Sequence, residues 1–116
     1  MYMYNTNMSE FDQFLIYNKG KSDATQLQYK SQYNKLHSLV DPREIADVSQ
    51  KKILEIIYAN YTNPNQISSL INIALLVRRM GNMPTNELIK TRNNNKTVIE
   101  EHVKEMNSQH TLPSLN

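Results

Sequence analysis

Only two glycines occur in this 116-residue chain, Gly20 and Gly81, and both fall between segments of helical periodicity. Tight strand-to-strand turns draw on glycine at positive φ, so a chain this poor in it points to helices joined by short loops. Phosphate-cradling loops need several glycines, which excludes P-loop and dinucleotide-binding folds. Cysteine is absent. A disulfide scaffold, a thiol nucleophile, a cysteine zinc site and an iron–sulfur cluster are excluded with it, and the redox compartment stays open. Hydrophobic residues make up 39% of the chain, and no apolar run approaches the roughly 18 residues that would span a bilayer. The segment from Met1 is polar, without a secretory apolar stretch. The length fits one small domain, able to bury a modest core without metals or disulfides.

Apolar periodicity and capping residues predict five helices. The first runs from about Glu10 to Tyr17 behind Ser9, with Phe11, Phe14 and Leu15 on one face, and ends at Asn18 and Gly20. The second, from about Asp23 to Leu39 behind Ser22, puts Tyr29, Tyr33, Leu36 and Val40 on one stripe and Lys30, Ser31, Asn34 and Ser38 opposite. Asp41-Pro42 closes it, because a residue before proline avoids the helical region. The third follows Ser49 with Ile53, Leu54, Ile57 and Tyr58 and stops near Asn60. Asn63-Pro64 opens the fourth, which runs to about Met80 with Gly81 read as the C′ residue. Ile67, Leu70, Ile71, Ile73, Ala74, Leu76 and Val77 make this helix apolar nearly all round, and hence central. Asn65, Ser68, Asn72 and Arg79 form its narrow polar strip, within about 60° on the helical wheel. The fifth runs from about Asn86 to Met106 after Thr85, interrupted by Asn93, Asn94 and Asn95. Three fates stay open for it: docking on the body, pairing with another chain, or fraying.

The net charge of +2 is weak as a nucleic-acid signal, but its distribution is uneven. Residues 1–96 hold 12 of the 13 basic side chains and 8 of the 11 acids, a net of +4, while residues 97–116 hold one base and three acids, a net of −2. Catalytic constellations are poor. His37, His102 and His110 are scattered, and His102 has no second histidine at zinc-ligand spacing, so neither metal nor cofactor is expected. Glu100, Glu101 and Glu105 read as a solvated face. Tyr29 and Tyr33 read as core or boundary packing, since stacking aromatics must face solvent. Arg78 has two open roles, an anchor between helices or a ligand contact. Around the start of the second helix lie Lys19, Lys21, Ser22 and Thr25, where free N–H groups and the macrodipole favour a phosphate. Gln28, Ser31, Gln32 and Lys35 continue along it with side chains that hydrogen-bond base edges or phosphates, and the strip on the fourth helix offers the same chemistry. Alone, two such faces are also what an ordinary solvated surface looks like.

Four features follow one another along the chain: a short helix ending before Gly20; Ser22-x-x-Thr25-x-x-x-Tyr29 with Leu36 beyond it; Ile45-Ala46-Asp47-Val48-Ser49 opening a helix with Ile53 and Ile57; and Ser68-Ser69-Leu70 leading to Leu76-Val77-Arg78. In this order they resemble the N-terminal core-binding domain of tyrosine recombinases, the SAM-like helical module of phage-type integrases, over about residues 9–84. The resemblance implies an all-α fold, a four-helix core of two crossed helical hairpins with a fifth helix added. Residues 1–8 would be a flexible N-terminus, 85–106 the C-terminal helix and 107–116 a linker or tail. It implies half of a C-shaped clamp on double-stranded DNA, with the second and fourth helices in or near the major groove. Lys21, Ser22 and Thr25 would meet phosphates, Gln28, Gln32 and Lys35 would follow the groove, and Asn65, Ser68, Ser69, Asn72 and Arg79 would act from the fourth helix. The family's catalytic residues belong to a separate C-terminal domain, so this chain is expected to hold DNA without cutting it, and to need no membrane. Ser69 stands where threonine is common and the basic density is modest, which implies weak unassisted binding. The asparagine-rich composition together with this module is like proteins of large DNA viruses and their mobile elements. The competing expectation is a helical interaction module that self-associates through Val98, Ile99, Val103 and Met106 of the fifth helix.

Overall fold

The computed structural model of the protein describes residues 8–95. Among them lie α1 (Glu10–Tyr17), α2 (Asp23–Val40), a 3-10 turn (Ile45–Asp47), α3 (Gln50–Asn60), α4 (Pro64–Met80) and α5, helical over residues 86–95. No strand occurs among the described residues, and the fold is all-α as expected.

Each of the first four helices opens on a side chain that accepts hydrogen bonds from otherwise unpaired N–H groups. Ser9 accepts from Asp12, Ser22 from Thr25, Ser49 from Lys52, and Asn63 from both Asn65 and Gln66. Such caps contribute about 1 kcal/mol each. Asp41 ends α2 in an extended conformation, ψ 136°, as its proline neighbour requires.

Two local readings need correction. Gly81 is not C′ but the C-cap, at φ −97°, and Asn82 takes the left-handed position at φ 56°. The Met83 N–H donates to the Arg78 carbonyl at 2.8 Å and the Asn82 N–H to that of Arg79 at 3.1 Å, the paired bonds of a Schellman motif. Asparagine tolerates this conformation, so glycine was not needed there. The second correction concerns residues 45–49, which do not open one helix. Ile45–Asp47 forms a 3-10 turn, Val48 is extended, and α3 begins at Gln50 behind its cap Ser49, where the third helix was expected. The break lets Ile45 and Val48 both enter the core.

α4 is the central helix, packing against α1, α2, α3 and the 3-10 turn. It buries Ile67, Leu70, Ile71, Ile73, Ala74, Leu75 and Val77, against Phe14 of α1, Tyr33, Leu36 and Val40 of α2, and Ile53 and Ile57 of α3. Arg78 is also buried, 6% exposed; its Nε donates to the Pro84 carbonyl at 2.7 Å and its Nη1 to that of Val48 at 3.1 Å. Its role is therefore the anchor, tying the α4–α5 loop to the segment before α3.

The Glu10 carboxylate makes a second tie. Its Oε1 accepts from the Tyr33 hydroxyl at 2.6 Å and the Ile45 N–H at 3.1 Å, and its Oε2 from the Ala46 N–H at 2.9 Å. One residue of α1 thus holds α2 and the 3-10 turn together. Tyr33 lies against Phe11, Phe14 and His37 with ring centroids 5.0–5.8 Å apart, so it is a core residue as expected. Burial and then the Glu10 carboxylate hold its hydroxyl protonated far above the ordinary tyrosine range.

The described part of α5 docks on the body. Leu88 is fully buried, Gln50 Oε1 accepts from the Glu87 and Leu88 N–H groups at 2.9 and 3.1 Å, and Asn95 Nδ2 donates to the Pro64 carbonyl at 2.7 Å. Gln50 thus does for α5 what the serine and asparagine caps do for the other helices. The apolar stripe Val98–Met106, the acids Glu100, Glu101 and Glu105, His102, His110 and the expected flexible N-terminus up to Asn7 lie outside the described residues, as does the tail 107–116.

Candidate nucleic-acid interface

α2 and α4 meet with their hydrophilic sides toward a common opening. At the crossing, Gln66 Nε2 donates to Gln32 Oε1 at 2.6 Å. The resulting groove, of about 600 Å³, is lined by Gln28 and Gln32 of α2, by Asn60, Tyr61, Thr62 and Asn63 where α3 hands over to α4, and by Asn65, Gln66 and Ser69 of α4. A recess of about 190 Å³ shares Gln28, Gln32 and Ser69 with it and adds Tyr29, Asn72 and Ile73. No charged side chain lines either, and no residue of α5 does.

Of the residues expected to contact DNA, this arrangement unites Gln28, Gln32, Asn65, Ser69 and Asn72. Lys21, Ser22, Thr25, Lys35, Ser68 and Arg79 do not line it. Lys35 nevertheless sits three residues beyond Gln32 and seven beyond Gln28 on the same stripe of α2, whereas Lys21 lies in the loop just before the N-cap Ser22. Both are exposed, as is Arg79 in the last turn of α4. The Ser22 hydroxyl is engaged in capping: it accepts from the Thr25 N–H at 3.2 Å and donates to Thr25 Oγ1 at 2.9 Å. Gln26 Nε2 reaches back to the Lys19 and Lys21 carbonyls at 3.0 and 2.7 Å, holding the loop before α2 in place.

Several groove amides are already partly used. Asn63 caps α4, Asn60 Nδ2 donates to the Ile56 carbonyl at 2.8 Å, and the Ser69 hydroxyl donates to the Asn65 carbonyl at 3.0 Å. What remains is a set of neutral donors and acceptors suited to other neutral polar groups. Sequence reasoning missed Gln66 and the stretch Asn60–Asn63. Gln66 sits about 100° from Asn65 on the wheel, off the polar strip, and only its partner on α2 marks it.

Elsewhere, Glu10, Glu44 and Asp47 border a second cavity beside the end of α4. Lost solvent and then the Glu10 carboxylate raise the Glu44 pKa above the usual carboxylate range. No group of three or more histidine, aspartate or glutamate residues able to hold a metal ion occurs among the described residues. No helix among them is long and apolar enough to cross a membrane. Among known proteins, no family model, no curated protein and no solved structure matches this chain.

Proposed function

We propose that this chain is a double-stranded DNA-binding module that grips DNA through α2 and α4 and performs no cleavage of its own. The observation that carries the reading is the shared groove, in which hydrophilic faces of two separate helices open at one place and which no described residue of α5 lines. The amides supply neutral contacts, and the exposed Lys21, Lys35 and Arg79 supply the attraction to phosphates. With so few cations the affinity is modest, about 10⁻⁴ to 10⁻⁶ M for nonspecific duplex, and falls steeply with salt as counterions are released. Fluorescence anisotropy of a labelled duplex at two salt concentrations tests this. Binding that weakens with salt and is abolished in a K21E/K35E variant supports it; no binding at low salt defeats it.

The competing reading is self-association through Val98, Ile99, Val103 and Met106. Because Leu88 and Asn95 belong to the body, the truncation that tests it must spare residues 86–95. Light scattering of the full chain against one ending at Lys96 separates the two: a dimer lost on truncation favours self-association.

A further inference from the structure

We propose that the α2–α4 groove reads adenine, so that the module prefers A·T-bearing duplex over G·C; the inference rests on the DNA-binding reading above.

The groove floor is neutral, so it adds no charge attraction to phosphates, and any preference it has among bases rests on hydrogen-bond pattern. That pattern is set where the helices cross. Gln66 Nε2 donates to Gln32 Oε1. With that bond made, Gln32 keeps both of its N–H donors and Gln66 keeps its carbonyl, a donor beside an acceptor on two side chains that brace each other. Reversing the sense of the bond would leave the same pair. Both residues are half-buried, so each loses less side-chain freedom on binding than an exposed glutamine would. Gln28 and Asn72, in the adjoining recess, add further amides that make no hydrogen bond to other described residues.

A donor next to an acceptor matches one base edge in the major groove. Adenine offers the N7 acceptor beside the N6 amino donor, whereas guanine offers two acceptors, N7 and O6, and would set O6 against the Gln66 carbonyl. Guanine is matched by arginine or lysine, and neither lines the groove. Cytosine presents a lone donor and thymine a lone acceptor with a methyl group, so each leaves half of the pair unanswered.

The test uses the whole 116-residue chain and three duplexes of equal length: A·T-rich, G·C-rich, and A·T-rich with 7-deazaadenine replacing adenine. The modified base lacks only the N7 acceptor and leaves base pairing and the minor groove intact, which separates amide readout from a response to duplex shape. Wild type is expected to favour the A·T duplex by roughly 5- to 150-fold for a single adenine read by such a pair. The deaza duplex should lose most of that advantage, and Q32A and Q66A should each bring the A·T and G·C affinities within about twofold. Circular dichroism establishes that both variants fold, which alanine in an exposed-to-half-buried helical position favours. Equal affinity for the A·T and G·C duplexes, or indifference to 7-deazaadenine, overturns the inference and leaves DNA binding standing. Absence of binding to all three duplexes at low salt overturns both.

Discussion

Replacing Glu10 by alanine tests whether the fold is held at one carboxylate as the geometry indicates. Three donors converge on it, the Tyr33 hydroxyl and the Ile45 and Ala46 N–H groups. A hydrogen bond to a charged acceptor contributes about 1.5–3 kcal/mol, and a buried donor left without a partner costs a similar amount. Glu10 is only half-buried, so water re-solvates some of what alanine vacates, and the loss falls below that range to about 1 kcal/mol or slightly more per donor. The expected loss is about 3–4 kcal/mol, a large share of the roughly 5–15 kcal/mol that stabilises a typical domain. Urea titration followed by circular dichroism measures it, and the thermal midpoint should fall by roughly 12–16 °C at this chain length. Glutamine at position 10 is expected to fall between wild type and alanine. Its carbonyl can still serve Tyr33 and Ile45, but its amide would set an N–H against that of Ala46. A double-mutant cycle isolates the pair: Tyr33→Phe should cost about 1–2 kcal/mol in the wild type and nothing in the Glu10→Ala background, where the hydroxyl has already lost its acceptor. Equal costs in the two backgrounds, or a Glu10→Ala chain within about 1 kcal/mol of wild type, would refute the reasoning.

Other parts of the structure yield shorter tests. Glu44→Gln should raise the thermal midpoint at pH 7 and leave it unchanged in acid: a carboxylate whose folded pKa is raised costs stability once pH exceeds the ordinary value, and that cost vanishes when both states are protonated; a gain that persists in acid assigns the effect elsewhere. At Asn82, glycine should be neutral or slightly stabilising and valine should cost about 1–2 kcal/mol, since only valine strains at φ 56°; equal effects on the urea midpoint would contradict the turn geometry. Gln50→Ala should cost about 1–2 kcal/mol and speed amide exchange at Leu88, whose N–H it satisfies. Unchanged exchange there would mean that α5 is held without the Gln50 cap, by Leu88 packing and the Asn95 bond to Pro64.

Most of the helical framework could be read before any contact was known, because its signals are local. Ser9, Ser22, Ser49 and Asn63 each stand immediately before an amphipathic run, and a cap needs only the N–H groups of the next turn. The all-round apolarity of α4 told its central place for a comparable reason: a helix without a wet face has to be covered on every side. Arg78 was different. It shares a side of α4 with core residues, and periodicity alone left two roles for it until the Val48 and Pro84 carbonyls were seen to meet its guanidinium.

The same boundary runs through the candidate site. Gln28, Gln32, Asn65, Ser69 and Asn72 were visible as hydrophilic faces of two helices, since a wheel reports direction around one axis. Which faces meet depends on how the helices cross, and that is settled by the packing of Phe14, Tyr33, Leu36, Ile71 and their neighbours, residues far apart along the chain. So Gln66, the Asn60–Asn63 stretch, the Glu10 tie and the Gln50 cap on α5 emerged only from tertiary structure. Each is a bond between segments more than twenty residues apart or a wall assembled from them, and no local pattern encodes the partner.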